Sequence, residues 1–488
     1  MSIVKFFRLN LHRLLPLGAI GLSNSAPSIM LVDQQDIHSA TLSKLRILFF
    51  SFHYPPDQSA GSYRAKELAE ALQTISKDTE IRIFCSQPRR YGVKFNIQQK
   101  NDFSADKNLK VVRFWAPYFG RGPLASVASY AFYFAQAIPA SILYRPQIVI
   151  GTSAKLLTSL VAAIASKANG AKLFLDIRDT FADNFFYFYR WNKRILAQSL
   201  ILGIENVVLR CATAINMVSL GFKEAFYGWD RLLYKYGIEV TNFPNGITQS
   251  SRAIISSASR CRQKNDKASS LNDFFKVAYC GNLGEGQDLF TLFKNLTCDP
   301  ESVSRLISER ICINIYGSGS QLENLRELTI SSSISGLLEV KGIIPRDEMP
   351  IVYGESDCLM LQLGEFSSLS MVIPTKVFEY CATNKPIIYG ASGFTEKFIS
   401  NISGAIPFSQ NNPASFVDSL IRSKSAVVDV VERDNFLDSF NSSLILKKYS
   451  RSIMTAAGFS HRIKPTTIPG SFSSIESGSQ CKINKTVA

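Results

Sequence analysis

Between residues 45 and 246, short and nearly continuous apolar runs alternate with longer segments of helical period. RILFFSF (46–52), IRIFC (81–85), VVRF (111–114), QIVIG (147–151), KLFLDI (172–177), AINMV (214–218) and EVTNF (239–243) read as strands. Runs apolar at successive positions are what parallel strands covered on both faces show. In SYRAKELAEALQTI (62–75), Ala65, Leu68, Ala69 and Leu72 fall at i, i+3, i+4 and i+7, which predicts an amphipathic helix. Helical patterns also occupy 153–168 and 193–211. HYPPDQSAG, between the first strand and the first helix, carries two prolines and reads as a loop. Strands alternating with helices predict a doubly wound parallel sheet.

The alternation stops after Gly246. Residues 248–273 are polar, basic and Ser-rich, and are expected to form a linker or extended loop. It then resumes with FKVAYC (275–280), CINIY (312–316), LLEVK (337–341), DCLML (357–361) and PIIY (386–389). The expected organisation is α/β throughout: an extension over 1–43, a Rossmann-like domain over 44–247, a linker over 248–273, a second Rossmann-like domain over 274–455 and a flexible tail over 456–488. A chain of 488 residues suits two such units at roughly 100–200 residues per domain.

Charge distinguishes the halves. The net charge is +15, but residues 1–250 hold 29 basic and 16 acidic side chains, and residues 251–488 hold 25 and 23. A basic front half favours phosphates, nucleic acid or an anionic membrane. No nucleic-acid recognition motif accompanies it. The nine cysteines are scattered without a C-x-x-C pair, which argues against a disulfide framework or structural zinc. With four histidines, none paired at ligand spacing, and no D-x-D carboxylate pair, no metal site is expected. Residues 122–144 are uncharged between Arg121 and Arg145, long enough to span a bilayer, yet their two prolines and many Ser and Tyr favour a buried or interfacial helix. The basic, apolar N-terminus is broken by Pro16 and Gly18 and ends in no convincing cleavage site.

Ligands of doubly wound sheets bind beyond the carboxyl ends of the strands. Four such places carry suitable groups. Ser59, Ala60 and Gly61 offer amides before helix 62–75, with Arg64 in its first turn. CGNLGEGQDL (280–289) places Gly281, Asn282 and Gly284 in a turn after a strand, without the G-K-[ST] ending of a Walker loop. IYGSG (315–319) repeats strand, Gly317-x-Gly319 and helix. In IPTKVFEYC, Pro374 opens a helix on which Lys376 and Glu379 share one face, opposite Val377, Tyr380 and Cys381. A carboxylate there can accept from ribose hydroxyls while the lysine neutralises a diphosphate.

The ordered set HYPPD, AGSYRAKELAEAL, LDIRDTF, NFPNGI, YCGNLGEGQDL, YGSGSQLENL, VKGIIPRDEMPIVYGESDCLMLQL and PTKVFEYCATNKPII resembles family 4 of the retaining GT-B glycosyltransferases over roughly residues 45–450. It is most similar to the branch of N-acetyl-L-fucosamine transferases of O-antigen and capsule assembly. The resemblance implies a GT-B fold, two Rossmann-like domains facing a cleft, with a UDP-linked sugar donor on the second domain and the acceptor on the first. It implies no cofactor or metal. Glu379 matches the second glutamate of the family's E-x7-E signature. The first would fall at Met371 and is absent, so Pro374, Thr375 and Lys376 inherit that part of the donor site. The family's Arg and Lys after the first strand of the second domain read Asn282 and Gly286 or Gln287 here, leaving backbone amides and Lys376 on the diphosphate. Arg178 stands where the family has a histidine, followed by Asp179. The implied roles are therefore Lys376 with the amides of Gly61, Gly281 and Gly284 on the diphosphate, and Arg178 and Asp179 orienting the acceptor or sugar, with Asp179 a proton acceptor and His53 a secondary candidate.

Aromatic and basic residues interleave in the front half, with FFYFYRW (185–191) beside the uncharged stretch. This composition suits an anionic membrane interface. Arg64, Arg121, Arg145 and Arg190 are the expected contacts to a polyprenyl-diphosphate-linked acceptor, held by a peripheral protein on the cytoplasmic face of the membrane. Two other readings fit the same motifs: a GT-B nucleotide-sugar 2-epimerase, and a catalytically silent GT-B-like partner protein.

Overall fold

The computed structural model describes residues 44–57, 60–76, 78–88, 108–117, 123–152, 156–179, 194–222, 229–265 and 274–463. The front half contributes β1 (Leu45–Phe50), α1 (Ala60–Ile75), β2 (Thr79–Ser86), β3 (Leu109–Phe114), α2 (Pro123–Tyr144), β4 (Ile148–Thr152), α3 (Leu156–Asn169), β5 (Lys172–Ile177), α4 (Arg194–Cys211), β6 (Ala212–Met217), α5 (Trp229–Tyr236) and β7 (Glu239–Thr241). These strands form one parallel sheet in the order β3-β2-β1-β4-β5-β6-β7. α6 (Gln249–Asn265) leads to the back half: β8 (Phe275–Asn282), α7 (Leu289–Thr297), α8 (Pro300–Ser308), β9 (Ile311–Ser318), α9 (Leu322–Ser331), β10 (Leu338–Gly342), α10 (Met349–Glu355), β11 (Cys358–Gln362), α11 (Lys376–Cys381), β12 (Ile387–Gly390), α12 (Gly393–Ser400), β13 (Ala405–Pro407), α13 (Pro413–Ser423), α14 (Val430–Ser439) and α15 (Ser442–Ala456). The second sheet has the order β10-β9-β8-β11-β12-β13. Strand order thus reverses between β1 and β4 in one sheet and between β8 and β11 in the other, and these switch points are where doubly wound sheets open a crevice.

β1 shows why continuous apolar runs were needed. Leu48 and Phe50 enter a core with Tyr130 and Tyr133 of α2 and Val161 of α3; Ile47 and Phe49 enter another with Leu68 and Leu72 of α1. Each face of the sheet is sealed by helices.

Three expectations are corrected. The stretch 248–273 is not a loop: α6 occupies Gln249–Asn265, although 266–273 lie outside the described residues. Its few apolar positions suffice because Ile255 is buried, Ser256 Oγ donates to the Ala382 carbonyl at 2.9 Å, and Arg252 pairs with Asp434 and Asp438. Second, α15, expected with the second domain, packs on the first: Leu446, Tyr449, Ile453 and Met454 join the core of β1 and α1. Third, the flexible tail does not begin at 456, because Ala457, Phe459 and Ile463 continue that packing. Residues 464–488 and the 1–43 extension lie outside the described residues.

The uncharged stretch is α2, a helix packed on the sheet along one side. Tyr133 donates its hydroxyl to the Phe84 carbonyl at 2.9 Å and Tyr144 to that of Glu80 at 2.8 Å. No helix among the described residues is long and apolar enough to cross a membrane.

The chain passes between the sheets twice, and the two passes are hydrogen-bonded to each other. Ile247 N donates to the Phe440 carbonyl at 3.0 Å and Ser442 N to that of Ile247 at 3.0 Å. A Cβ on Gly246 would lie 2.0 Å from the Phe440 oxygen, so only glycine fits. Arg64 anchors the first pass. It grips Asp176 of β5 through Nε (2.8 Å) and Nη2 (3.0 Å), and donates to the carbonyls of Phe243 (2.7 Å) and Pro244 (3.0 Å) and to Asn245 Oδ1 (3.4 Å). Those contacts use all five guanidinium N–H groups. Arg64 is therefore not a phosphate or membrane contact, as expected from sequence, but a buried tie. Asn216 of β6 completes the network, donating to Asp176 Oδ1 at 2.7 Å and accepting from Phe243 N at 2.7 Å.

Burial pushes the Asp176 carboxyl up, but the charge and hydrogen bonds of Arg64, with Arg178 and Asn216, outweigh this and hold it below the usual range. Its stabilisation is then complete above the unfolded value of about 3.9 and is lost as pH falls through the lower folded value. Asp176→Asn should cost about 3 kcal/mol or more at neutral pH by leaving Arg64 buried without its counter-charge. That penalty should shrink as the pH drops below about 4 in urea titrations of both proteins. Ile453→Ala, at a fully buried position of α15, should destabilise by about 2–5 kcal/mol. Faster amide exchange in α1 and β1 would check that the lost packing belongs to the first sheet.

Candidate functional site

A cleft runs between the carboxyl ends of the two sheets. Its larger part, about 860 Å³, is lined by Tyr63, Arg64 and Glu67 from α1, by the first crossover, and by residues of the second sheet including Gly281, Asn282, Gly317, Thr375, Lys376 and Glu379. A smaller cavity of about 270 Å³ adjoins it and is lined by Arg178 and Asp179 from the end of β5, with Gln362, Pro374 and Tyr380 opposite. Asn245, Gly281, Asn282, Thr375 and Lys376 line both.

The short helix α11 positions the most specific group. Val377, Phe378, Tyr380 and Cys381 are buried, and Tyr380 Oη accepts from Cys280 N of β8 at 3.2 Å, which fixes the helix against the sheet. Its other face carries Lys376 and Glu379. Glu379 Oε2 accepts from Lys376 Nζ at 2.9 Å and from the Tyr353 hydroxyl at 2.6 Å, while Lys376 also donates to Tyr353 at 2.8 Å. Arg346 approaches Glu379 Oε1 at 3.4 Å. Burial alone would raise the Glu379 pKa; Lys376, Arg346 and the hydrogen bonds of Tyr353 and Lys376 prevail and hold it below the ordinary glutamate range. The result is an ionised carboxylate ringed by donors at the cleft wall.

The glycines have backbone reasons first. Gly317 has φ 150°, and a Cβ there would lie 1.8 Å from the Gly281 oxygen. A Cβ on Gly319 would meet the Leu283 backbone at 2.2 Å, and one on Gly284 would meet Asn282 Nδ2 at 2.7 Å. Gly284 and Gly319 line neither cavity, and neither does Gly61, in the first turn of α1. Gly281, Asn282 and Gly317 are on the cavity walls. Arg145 is exposed at the end of α2 with φ 52°. Arg121 and Arg190 lie outside the described residues. His53 pairs with Asp57 through Nδ1 at 3.0 Å and lines neither cavity.

Met371, where the resemblance expects a glutamate, joins the two units instead. Its carbonyl accepts from the Ser219 hydroxyl, and its side chain packs against the core between the first sheet and α2. Arg346 makes a second bridge, its guanidinium 4.5 Å from the centre of the Tyr63 ring. Sequence reasoning missed Tyr353, Arg346 and Asn245. Tyr353 reads as an ordinary apolar position of α10, and Arg346 sits in a loop without periodicity. Among the described residues, no group of three or more His, Cys, Asp or Glu converges as metal ligands would.

No protein-family model and no curated protein matches the chain. Solved structures do. Sucrose-phosphate synthase from Thermosynechococcus elongatus superposes with a TM-score of 0.62 at 12% identity, covering 84% of this chain and 98% of that one. HepE of Anabaena, in complex with UDP-glucose, gives 0.56 at 12% identity over 84% and 100%. Trehalose-6-phosphate from E. coli, bound with UDP-2-fluoro glucose, gives 0.59 at 10% identity over 84% and 98%. At these identities the likeness shows the fold alone, and it agrees with the strand orders and the cleft between the sheets: the chain has the GT-B fold.

Proposed function

We propose that the protein is a glycosyltransferase of the family 4 type, similar to the N-acetyl-L-fucosamine transferase branch, transferring a sugar from a UDP-linked donor to a polyprenyl-diphosphate-linked saccharide in surface-polysaccharide assembly. The observation that carries this reading is the Lys376–Tyr353–Glu379 cluster on the larger cavity, beside the switch point of the second sheet. An ionised carboxylate on the cavity wall, with Oε1 approached among the described residues only by Arg346 at 3.4 Å, suits the paired hydroxyls of a ribose. The Lys376 ammonium has three donors, of which Tyr353 and Glu379 take two, leaving one for a diphosphate oxygen. UDP-glucose in HepE and UDP-2-fluoro glucose in the E. coli structure support a UDP-linked donor.

In this reading the anomeric carbon–oxygen bond breaks toward the diphosphate and the acceptor oxygen bonds to the same face, giving retention. Lys376 and the amides near Gly281 and Asn282 stabilise the departing charge. Arg178 and Asp179, on the smaller cavity, orient the acceptor, and its hydroxyl proton passes to Asp179 or to the departing phosphate oxygen. Metal independence follows from the resemblance and from the missing D-x-D pair. The acceptor side is argued from surface chemistry. Trp115, Val127, Phe132, Ile142 and Leu143 are exposed on or beside α2, as are Leu200, Leu202 and Val207 of α4, with Arg145, Lys172 and Arg210 exposed in the same half. This supports a peripheral protein on the cytoplasmic membrane face.

Glu379→Ala should weaken UDP binding by about tenfold or more, or about 1.4 kcal/mol, in titration calorimetry; unchanged affinity would sink the donor assignment. The protein should float with vesicles rich in phosphatidylglycerol and be released as salt is raised, because screening shortens the reach of surface charge. Absence of salt-sensitive flotation would remove the membrane from the proposal.

A further inference from the structure

Gln362 is the last residue of β11 and stands at the carboxyl end of the second sheet, directly beside β8 where the strand order reverses. It is 1% exposed, and neither Nε2 nor Oε1 has a hydrogen-bond partner among the described residues. Its neighbours along the strand, Met360, Leu361 and Leu363, are apolar. A buried amide without partners costs free energy, and an apolar side chain would satisfy the packing without that cost. The amide is also confined: a Cβ on Gly390 would come within 2.3 Å of Gln362 Oε1 and 2.7 Å of the Phe408 ring. Gln362 lines the smaller cavity, across which stand Arg178 and Asp179.

We propose that the Gln362 amide is a specificity-determining contact to the sugar of the nucleotide-sugar donor, reading an uncharged hydroxyl or acetamido group in the smaller cavity. This rests on the nucleotide-sugar reading of the cleft. Thr375 and Lys376 line both cavities, so a donor with its ribose at Glu379 and its diphosphate at Lys376 carries its next unit into the smaller cavity. A neutral amide offers two N–H donors and one carbonyl acceptor, which matches a group that both gives and takes a hydrogen bond and offers little to a phosphate. Polar groups buried in a site in this way reject ligands that leave them unpaired.

The test is calorimetric titration of the full chain with UDP and with a panel of UDP-hexoses and UDP-N-acetylhexosamines, for wild type, Gln362→Met and Gln362→Glu. Met keeps the length and removes the hydrogen-bonding groups; Glu keeps the shape and an acceptor, and thermal unfolding checks that both variants fold. The expected result is that UDP affinity is unchanged in Gln362→Met, while the preference among sugars shown by wild type falls by about 10- to 100-fold. Gln362→Glu should re-rank the panel. An unchanged ranking in both variants, with or without a higher Tm for Gln362→Met, would overturn the proposal and leave the nucleotide-sugar reading standing. Failure of the wild-type protein to bind UDP or any UDP-sugar would overturn both together.

Discussion

The buried Arg64–Asp176 pair is the interaction on which the geometry of the cleft depends. It joins the second turn of α1 to β5 and, through three acceptors at Phe243, Pro244 and Asn245, fixes the segment by which the chain leaves the first sheet. A buried ion pair is tolerated only when both partners are fully hydrogen-bonded, because desolvation otherwise exceeds the attraction. Here the guanidinium is saturated, and Asn216 supplies a further bond to the carboxylate. Asn245, at the end of this chain of contacts, lines both cavities. The placement of one wall of the site is therefore set by an ion pair whose guanidinium donors are all used within the protein, although Arg64 itself lines the larger cavity.

The return of α15 adds the second constraint. Because α15 packs on α1 and the first sheet, the two crossovers at Ile247 and Phe440 lie side by side and bond to each other. Phe243 of the first crossover stacks on Tyr449 of α15 with ring centres 5.1 Å apart. The two units are thus coupled at the crossovers by backbone hydrogen bonds and packed rings, and across the cleft by the contacts of Arg346 with Tyr63 and of Met371 with Ser219. A glutamate at position 371 would place a carboxylate against an apolar core, where the unbranched thioether of methionine fits.

Much of this was legible in the chain because parallel strands sealed on both faces need apolar residues at successive positions. The inner strands β1, β4, β5, β11 and β12 follow that rule, while the outer strands β3 and β10 alternate buried and less buried positions, and Lys376 and Glu379 share a helix face as their spacing requires. What was not legible depends on partners distant in sequence. Arg64 in the first turn of a helix suits an anion site as well as an internal tie, and only Asp176, 112 residues away, decides between them. The helix α6 was hidden because its Ser-rich pattern has few apolar positions; it is held by Asp434, Asp438 and the Ala382 carbonyl. Chain order likewise cannot say which sheet α15 joins, since its apolar face would fit either. Gly317 and Gly319 read as phosphate-binding turns, yet their first requirement is close approach to the backbones of Gly281 and Leu283.

The uneven charge of the chain takes on a different meaning at the cleft. The basic front half contributes Arg64 and Arg178 to the cavity walls, but Arg64 is neutralised by Asp176, and Arg178 lies in the field of Asp176 and Asp179. The cations beside Glu379, Lys376 and Arg346, come from the half with nearly balanced charge. An anion entering the larger cavity is thus met by positive groups of the second unit, and the surplus charge of the first unit lies on its exposed surface and in segments outside the described residues. Coulomb attraction falls with distance and is screened over roughly 8–10 Å in physiological salt, so the surface surplus acts on what approaches the protein from outside. Local pairing at the cleft, rather than the count of charges in each half, decides where a diphosphate would be held.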